Sequence, residues 1–214
     1  MQYVAALDHE HLDNGVFLTS LAKSISQQKD TRPILIHGDS EYTERVMQTG
    51  VMRGEATLRS IKDLNHRLIT LFADQGISAI GINGYQRNFI TKDGEDLKLD
   101  ASFFEGLPSQ PLLLISTLVW DTQRETPVPM GLAEMGIFLR SKLKAEQLFA
   151  FSSSEKDEIF VSDKPRELTW NNLPEHFAKE HLPKEFHRFN KSLRLANARD
   201  FHNPVAPEHS ILIQ

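Results

Sequence analysis

The sequence contains no cysteine, which excludes disulfides, thiolate catalysis and cysteine-based zinc sites. Long apolar runs are also missing, because the longest one, residues 112–115, is far too short to cross a bilayer. Residues 1–13 lack a basic stretch followed by an apolar one, so no signal peptide is predicted. These absences predict a soluble cytoplasmic protein that does not enter a membrane.

A concentration of basic residues is absent as well. The net charge is -5 with 25% charged residues, and no basic stripe is available to follow a phosphate backbone, so a nucleic-acid partner is not expected. Hydrophobic residues make up 40% of the 214 positions, which is enough for one sizeable core. No linker, repeat or low-complexity segment marks a boundary, so residues 1–214 are predicted to form a single domain.

Short apolar runs alternate with stretches of helical spacing. Strands are predicted at residues 3–7, 34–36, 77–82, 112–115, 148–151, 159–161 and 210–213, with hairpins at 89–99 and 118–128. Helices are predicted from Ser40 to residue 47 and at about 55–75, 130–144 and 183–198. Strands interleaved with helices predict an α/β protein, a three-layer αβα sandwich with a mostly parallel sheet.

Ligands of such sheets bind beyond the carboxyl ends of the strands, so the loops after residues 36, 82, 115 and 151 are the expected site. His9, Glu10 and His11 also have the side chains of a metal site. No third partner is fixed by the sequence, and an exposed polar loop is the preferred interpretation of this segment, so no metal site is predicted. His176, His181 and His187 are expected at the surface.

Six segments, in order along almost the whole chain, resemble acetylglutamate kinases of the amino acid kinase family. Residues 32–38 are similar to the strand that ends there in His-Gly-Gly-Gly, and residues 50–53 to a Gly-Leu-Arg element. The others are Asn65-His66 for Asn-Lys, residues 76–82 for Ala-Val-Gly-Leu, residues 143–148 for Leu-x-Ala-Glu-x-Leu, and Pro183-Lys184 for the end of Gly-Gly-Met-x-x-Lys.

The resemblance implies transfer of the γ-phosphoryl group of ATP, with magnesium, to a carboxylate of an amino-acid-like substrate in a homodimer. The N-terminal half would face the substrate and the C-terminal half the nucleotide. Lys184 would neutralise the phosphoryl group, and Glu134 would replace an aspartate that orients lysines. The residues implied for the substrate are Arg53, His37, Gly38, Gly81 and Asn83, and those implied for the nucleotide are Ser152 and Ser153.

The sequence departs from the family pattern at the phosphate-handling positions. No lysine precedes Lys23, whereas the family ends its first strand in Lys-x-Gly-Gly. The glycine loop after the second strand is reduced to Gly38-Asp39-Ser40, and Asp39 adds negative charge there. The second hypothesis is therefore a non-catalytic homologue that senses a small molecule or acts as a regulatory subunit. A third is a structural partner that dimerises through the helix at 55–75.

Ordinary structural roles are open for the same residues. Lys184 is equally well interpreted as a solvated lysine, and Arg53 as a surface arginine beside a glycine turn. His37 suits a structural hydrogen bond. Gly38 and Gly81 suit tight turns and close packing with or without a ligand, and three consecutive serines from Ser152 need no function.

Overall fold

A computed structural model describes residues 1–108, 111–154, 167–205 and 210–214 of the chain. Its strands are β1 (Gln2–Leu7), β2 (Arg32–His37), β3 (Ala79–Asn83), β4 (Ile90–Asp93), β5 (Asp96–Leu99), β6 (Leu112–Ser116), β7 (Leu118–Asp121), β8 (Thr126–Pro129), β9 (Gln147–Phe151), β10 (Glu167–Leu168), β11 (Leu193–Ala196) and β12 (Ser210–Ile213). Its helices are α1 (His9–Leu12), α2 (Gly15–Ser26), α3 (Tyr42–Met47), α4 (Arg53–Asp74), α5 (Ala101–Glu105), α6 (Leu132–Lys142) and α7 (Glu175–His181).

Eight strands form the main sheet in the order β10-β12-β11-β9-β1-β2-β6-β3. Pairing is parallel except between β11 and β12. A second sheet, β5-β4-β7-β8, is built from two hairpins joined by a parallel β4–β7 pair. The prediction of an α/β fold with a large, mostly parallel sheet is confirmed.

The main sheet is covered on both faces, which is why its central strands are apolar throughout. Alternate residues of β2 enter two separate clusters, Ile34 and Ile36 on one face and Leu35 on the other. Helices α2 and α4 pack on the Leu35 face. Helices α6 and α7 and the second sheet cover the opposite face.

The boundaries of the elements follow local chemistry. Asn14 caps α2 by accepting a hydrogen bond from the amide of Phe17 (3.0 Å). Helix α4 presents Ile61, Leu64, Leu68 and Phe72 to the sheet at helical spacing. It ends before Gly76, whose φ of +75° is the left-handed conformation that glycine adopts without strain.

One predicted element is wrong. The helix expected at 183–198 is replaced by a 3-10 turn at Lys184–Phe186 and the strand β11. Phe186, Phe189 and Leu193 are buried as expected, but their helical spacing is coincidental, because Leu193 and Leu195 alternate with half-buried Arg194 in a strand that pairs with β9 and β12. The strand expected at 159–161 lies outside the described residues.

The segment from His9 to His11 is also corrected. It forms the short helix α1 rather than an exposed loop, and the side chain of His11 is buried. The expectation that His181 lies at the surface is also wrong, because this last residue of α7 is only 4% exposed. Within the described residues, no helix has the length and apolar character needed to span a membrane.

Helix α4 packs closely against the sheet at Gly81. A Cβ atom at this position would lie 2.2 Å from Asn65 Oδ1 and 2.5 Å from Ile69 Cδ1, both on α4. We therefore expect Gly81→Ala to lower the free energy of unfolding by about 1–3 kcal/mol in urea titrations, because the side chains of Asn65 and Ile69 must shift within a packed interface.

The matched control for this substitution is Gly15→Ala, where a Cβ atom meets nothing within 4 Å. Its unfolding free energy should stay within about 0.5 kcal/mol of the parent. Equal effects at the two positions would contradict the packing described for α4.

Candidate functional site

Six parallel strands of the main sheet, β1, β2, β3, β6, β9 and β11, end at one edge, here called the carboxyl edge. The residues that follow or close these strands are polar or small: Asp8, His37-Gly38, Asn83-Gly84, Ser116-Thr117, Ser152 and Asn197. They fall into two groups, one beyond β1, β9 and β11 and one beyond β2, β6 and β3. This edge is the place where ligands bind in sheets of this kind.

The end of β1 is closed by Asp8, which is 1% exposed. Its Oδ1 accepts a hydrogen bond from the amide of His11 (3.0 Å) and so caps α1. The same oxygen lies against His11 Nδ1. His11 Nε2 is 3.0 Å from the carbonyl oxygen of Ser152 and must donate to it, so the ring ties the end of β1 to the end of β9. The ring also stacks on Phe17, with centroids 4.0 Å apart.

Ser152 is the first residue beyond β9. Its hydroxyl oxygen lies 3.1 Å from His181 Nδ1, and the amide of Ser154 donates to it (3.2 Å). The amide of Ser153 donates to the carbonyl of His181 (3.0 Å). Two buried histidines from distant parts of the chain, His11 and His181, therefore contact Ser152 from different sides.

Lys184 reaches the same region. Its Nζ donates to Glu10 Oε1 (2.9 Å), and this hydrogen bond, with the charge of Glu10, raises the pKa of the lysine. The pair is largely exposed to solvent. Lys184 is thus brought to the carboxyl end of β1, but its charge is already balanced by Glu10.

A cavity of about 230 Å³ opens between the start of α2 and the ends of β9 and β11. Polar side chains dominate its lining, and Phe17 and Val16 add an apolar wall. Arg199 also lines the cavity, and it takes part in none of the ion pairs found among the described residues. Its main chain is fixed by Ser24, whose hydroxyl lies 2.8 Å from the Arg199 carbonyl oxygen.

The second group lies beyond β2, β6 and β3. Strand register places His37, Ser116 and Asn83 in one row across the sheet. The hydroxyl of Ser116 donates to Asn83 Oδ1 (2.9 Å). His37 is fully buried with Nδ1 3.2 Å from the carbonyl oxygen of Gly38, and burial lowers its pKa from 6.5 to about 4. The ring is therefore neutral at pH 7.

Buried polar atoms without a hydrogen-bond partner collect on the α4 side of the sheet. They include His37 Nε2, Ser60 Oγ and both amide atoms of Asn65. Asn65 lies directly over Gly81, so Gly81 is explained by close packing against α4. Gly38 has more room, since a Cβ atom there would make an ordinary 3.5 Å contact with Thr117 Oγ1.

Arg53 and Glu134 are not part of either group. Arg53 begins α4 and forms an exposed ion pair with Glu44 (2.8 Å). Glu134 lies in the first turn of α6, exposed, with its carboxylate folded back toward Gly131 at the N-terminus of that helix. A carboxylate in that position stabilises a helix N-terminus, which is a structural role.

The carboxyl edge has little to offer a polyphosphate. The loop after β2 keeps Gly38, but Asp39 Oδ1 accepts a hydrogen bond from the Ser40 amide (2.8 Å) and another from the Thr43 hydroxyl, so the carboxylate sits inside the loop. Asp8 and Glu10 add negative charge at the end of β1. Among the described residues, no group of three or more histidine, aspartate or glutamate side chains is arranged to hold a metal ion.

The sequence predicted that Ser152, Ser153 and Lys184 belong to the functional site. It did not assign Asp8, His11, His181 or Arg199 to that site. A signal existed for Asp8 and His11, because an aspartate directly after a strand and three residues before a buried side chain is an N-cap pattern. No local signal marks His181, whose contact with Ser152 joins residues 29 positions apart.

Comparison with known proteins identifies this architecture. An isopentenyl phosphate kinase matches with a TM-score of 0.66 and 12% identity over 100% of both chains. N-acetylglutamate synthase from Neisseria gonorrhoeae, complexed with coenzyme A and N-acetyl-glutamate, matches at 0.64 and 15% over 99% of this chain and 59% of its own. E. coli aspartokinase III, in complex with aspartate and ADP, matches at 0.63 and 7% over 100% and 64%.

The chain has the amino-acid-kinase fold. No family model and no curated protein matches its sequence. The chain spans all of the isopentenyl phosphate kinase but less than two thirds of the other two proteins. At these identities the likeness establishes the fold, so the expectation of this fold is confirmed and the likeness to acetylglutamate kinase in particular stays a prediction.

The low pKa of His37 predicts a specific pH dependence of stability. Between pH 6.5 and about 4 the unfolded chain binds a proton at this position and the folded chain does not, so the free energy of unfolding falls as the pH falls. The contribution approaches about 1.4 kcal/mol per pH unit within that window.

Urea unfolding at pH 7 and pH 4.5 measures this effect. The loss of stability between the two pH values should be smaller in His37→Leu, which cannot titrate, than in the parent. It should be unchanged in the control His66→Gln, since His66 is exposed. An unaltered pH dependence in His37→Leu would show that the ring is not the buried neutral group described here.

Proposed function

We propose that the chain is a small-molecule-binding protein that uses the amino-acid-kinase fold without its phosphoryl-transfer chemistry. Its ligand is amino-acid-like and binds at the carboxyl edge beside β1, β9 and β11. The observation that carries this proposal is the closure of β1 by Asp8, which caps α1 and holds His11 where phosphate chemistry requires cations and free amides.

The charges at the strand ends favour ligand binding over phosphoryl transfer. Transfer of a phosphoryl group depends on positive charge arranged around its oxygens. Asp8, Glu10 and Asp39 place negative charge at the ends of β1 and β2, and Lys184 is engaged by Glu10. ATP with magnesium therefore does not fit the residues present, and no catalytic step is derived from them.

The cavity supports a smaller ligand. Its volume of about 230 Å³ is below the range of roughly 300–1,000 Å³ that holds larger ligands, and it suits a single amino acid or an acylated one. Arg199 offers a guanidinium to a carboxylate, and Glu10 and the serine hydroxyls offer acceptors to an amino or amide group. N-acetyl-glutamate is named as a ligand of one structural neighbour beside coenzyme A, and aspartate of another beside ADP.

ATP-dependent phosphorylation of a carboxylate is the second candidate. The position of Lys184 favours it, because this lysine lies at the carboxyl end of β1, where its Nζ reaches Glu10. In that case Lys184 would have to exchange Glu10 for a phosphate. A homodimer and a cytoplasmic location stay predictions under both candidates.

Thermal unfolding with a panel of L-aspartate, L-arginine and N-acetyl-L-glutamate tests the proposal. At least one of these should raise the melting temperature, since a ligand at 100 times its Kd adds about 2.7 kcal/mol to stability. Magnesium-ATP should not. Arg199→Gln should remove the ligand effect, whereas Arg59→Gln, which removes an exposed arginine paired with Glu55 on α4, should retain it.

A shift of the melting temperature by magnesium-ATP, absent in Lys184→Ala, would contradict the proposal and favour the kinase. Turnover of ATP with a carboxylate substrate that Lys184→Ala slows without loss of folding would support the same alternative. Lys184 is exposed, so its removal is not expected to unfold the chain.

A further inference from the structure

Ser152 occupies an unusual position for a residue in a polar turn. Its amide donates to the carbonyl of Ala196 (3.0 Å), and its own carbonyl accepts from His11 Nε2 (3.0 Å). The main chain is thereby fixed between β11 and α1. The side-chain hydroxyl contacts the main chain of Ser154 and the imidazole of His181.

The hydroxyl and the imidazole lie within hydrogen-bond reach. The Ser152 Oγ to His181 Nδ1 distance is 3.1 Å, and the amide of Ser154 donates to the same oxygen (3.2 Å). A hydroxyl that accepts from an amide directs its own proton to another acceptor. The nearby acceptors are His181 Nδ1 and the carbonyl of Ser154 (3.2 Å).

The imidazole is held in place and has a carboxylate behind it. His181 ends α7, its carbonyl accepts from the Ser153 amide, and its ring packs at 5.1 Å from that of Phe177. Glu180 Oε2 lies 4.0 Å from Nε2. A carboxylate on that side favours a proton on Nε2, and Nδ1 is the ring nitrogen that contacts the Ser152 hydroxyl.

The pair also faces a place where a substrate fits. Ser152 is 9% exposed and lines the 230 Å³ cavity together with Asn197 and Arg199. A nucleophile within hydrogen-bond reach of a base, with a third group near the base, is the arrangement of activated serines. Asn197 and Arg199 also line the cavity, and their side chains carry N–H groups of the kind that stabilise a developing oxyanion.

We propose that Ser152 is a nucleophile activated by His181 and that its substrates are small esters of carboxylic acids that enter this cavity. Ser152 Oγ forms a bond to the carbonyl carbon while its proton passes to His181 Nδ1, and the π electrons move to the carbonyl oxygen. When the tetrahedral adduct collapses, the alkoxide leaves with the proton from His181. Water then cleaves the acyl-serine, which releases the acid. The ester occupies the same cavity as the proposed ligand, but its cleavage does not require that ligand to bind.

A fluorophosphonate probe tests the proposal without knowledge of the substrate. The serine oxygen bonds to phosphorus, fluoride leaves, and His181 takes the proton. Intact mass should show one added group per chain, and peptide mapping should place it on Ser152. Ser152→Ala should not react, and His181→Asn, which keeps a hydrogen-bonding group near the Nδ1 position, should react about 10²-fold more slowly or worse.

Ser26→Ala is the matched control, because Ser26 is an exposed serine at the end of α2 that does not line the cavity, and its hydroxyl donates to the Lys23 carbonyl oxygen. It should react at the parent rate. Melting temperatures establish that each variant is folded, and mapping of the labelled parent protein locates the site even if a variant unfolds. No labelling of folded parent protein, a label on another residue, or parent-like reaction of His181→Asn would overturn the proposal.

Discussion

The contact between Asp8 and His11 is the constraint on which the rest of the carboxyl edge depends. Asp8 ends the central strand β1, caps the turn that follows and holds the ring of His11. That ring reaches the carbonyl of Ser152 and stacks on Phe17, so it joins β1, β9 and α2. One buried carboxylate thus holds the His11 ring, which forms part of the cavity wall together with Phe17.

A common fold is compatible with the different chemistry that we propose, because fold and chemistry depend on different residues. The fold follows from alternating apolar residues of strands such as β2 and from the apolar face of α4. Phosphoryl transfer depends on a few cations and glycines at strand ends, which can change without loss of the core. In this chain Asp8 and Asp39 stand at those ends.

Most of the fold was predictable because its signals are local. Strands β1, β2 and β6, and helix α4 up to Gly76, follow from periodicity and caps within a few residues. The prediction of a helix at 183–198 was wrong because Phe186, Phe189 and Leu193 are spaced as in a helix. The structure instead forms the strand β11, which is stabilised by pairing with β9. The contact of Ser152 with His181 was out of reach, since only tertiary structure brings these two residues together.

Hydrogen–deuterium exchange with and without magnesium-ATP tests the central claim most directly, because it reports on the end of β1 itself. If Asp8 and His11 close this position to phosphate, peptides covering residues 8–17 and 148–154 should exchange at the same rate in both conditions. Protection of these peptides by millimolar magnesium-ATP would contradict the account, since it would show that phosphates reach the amides that Asp8 now occupies.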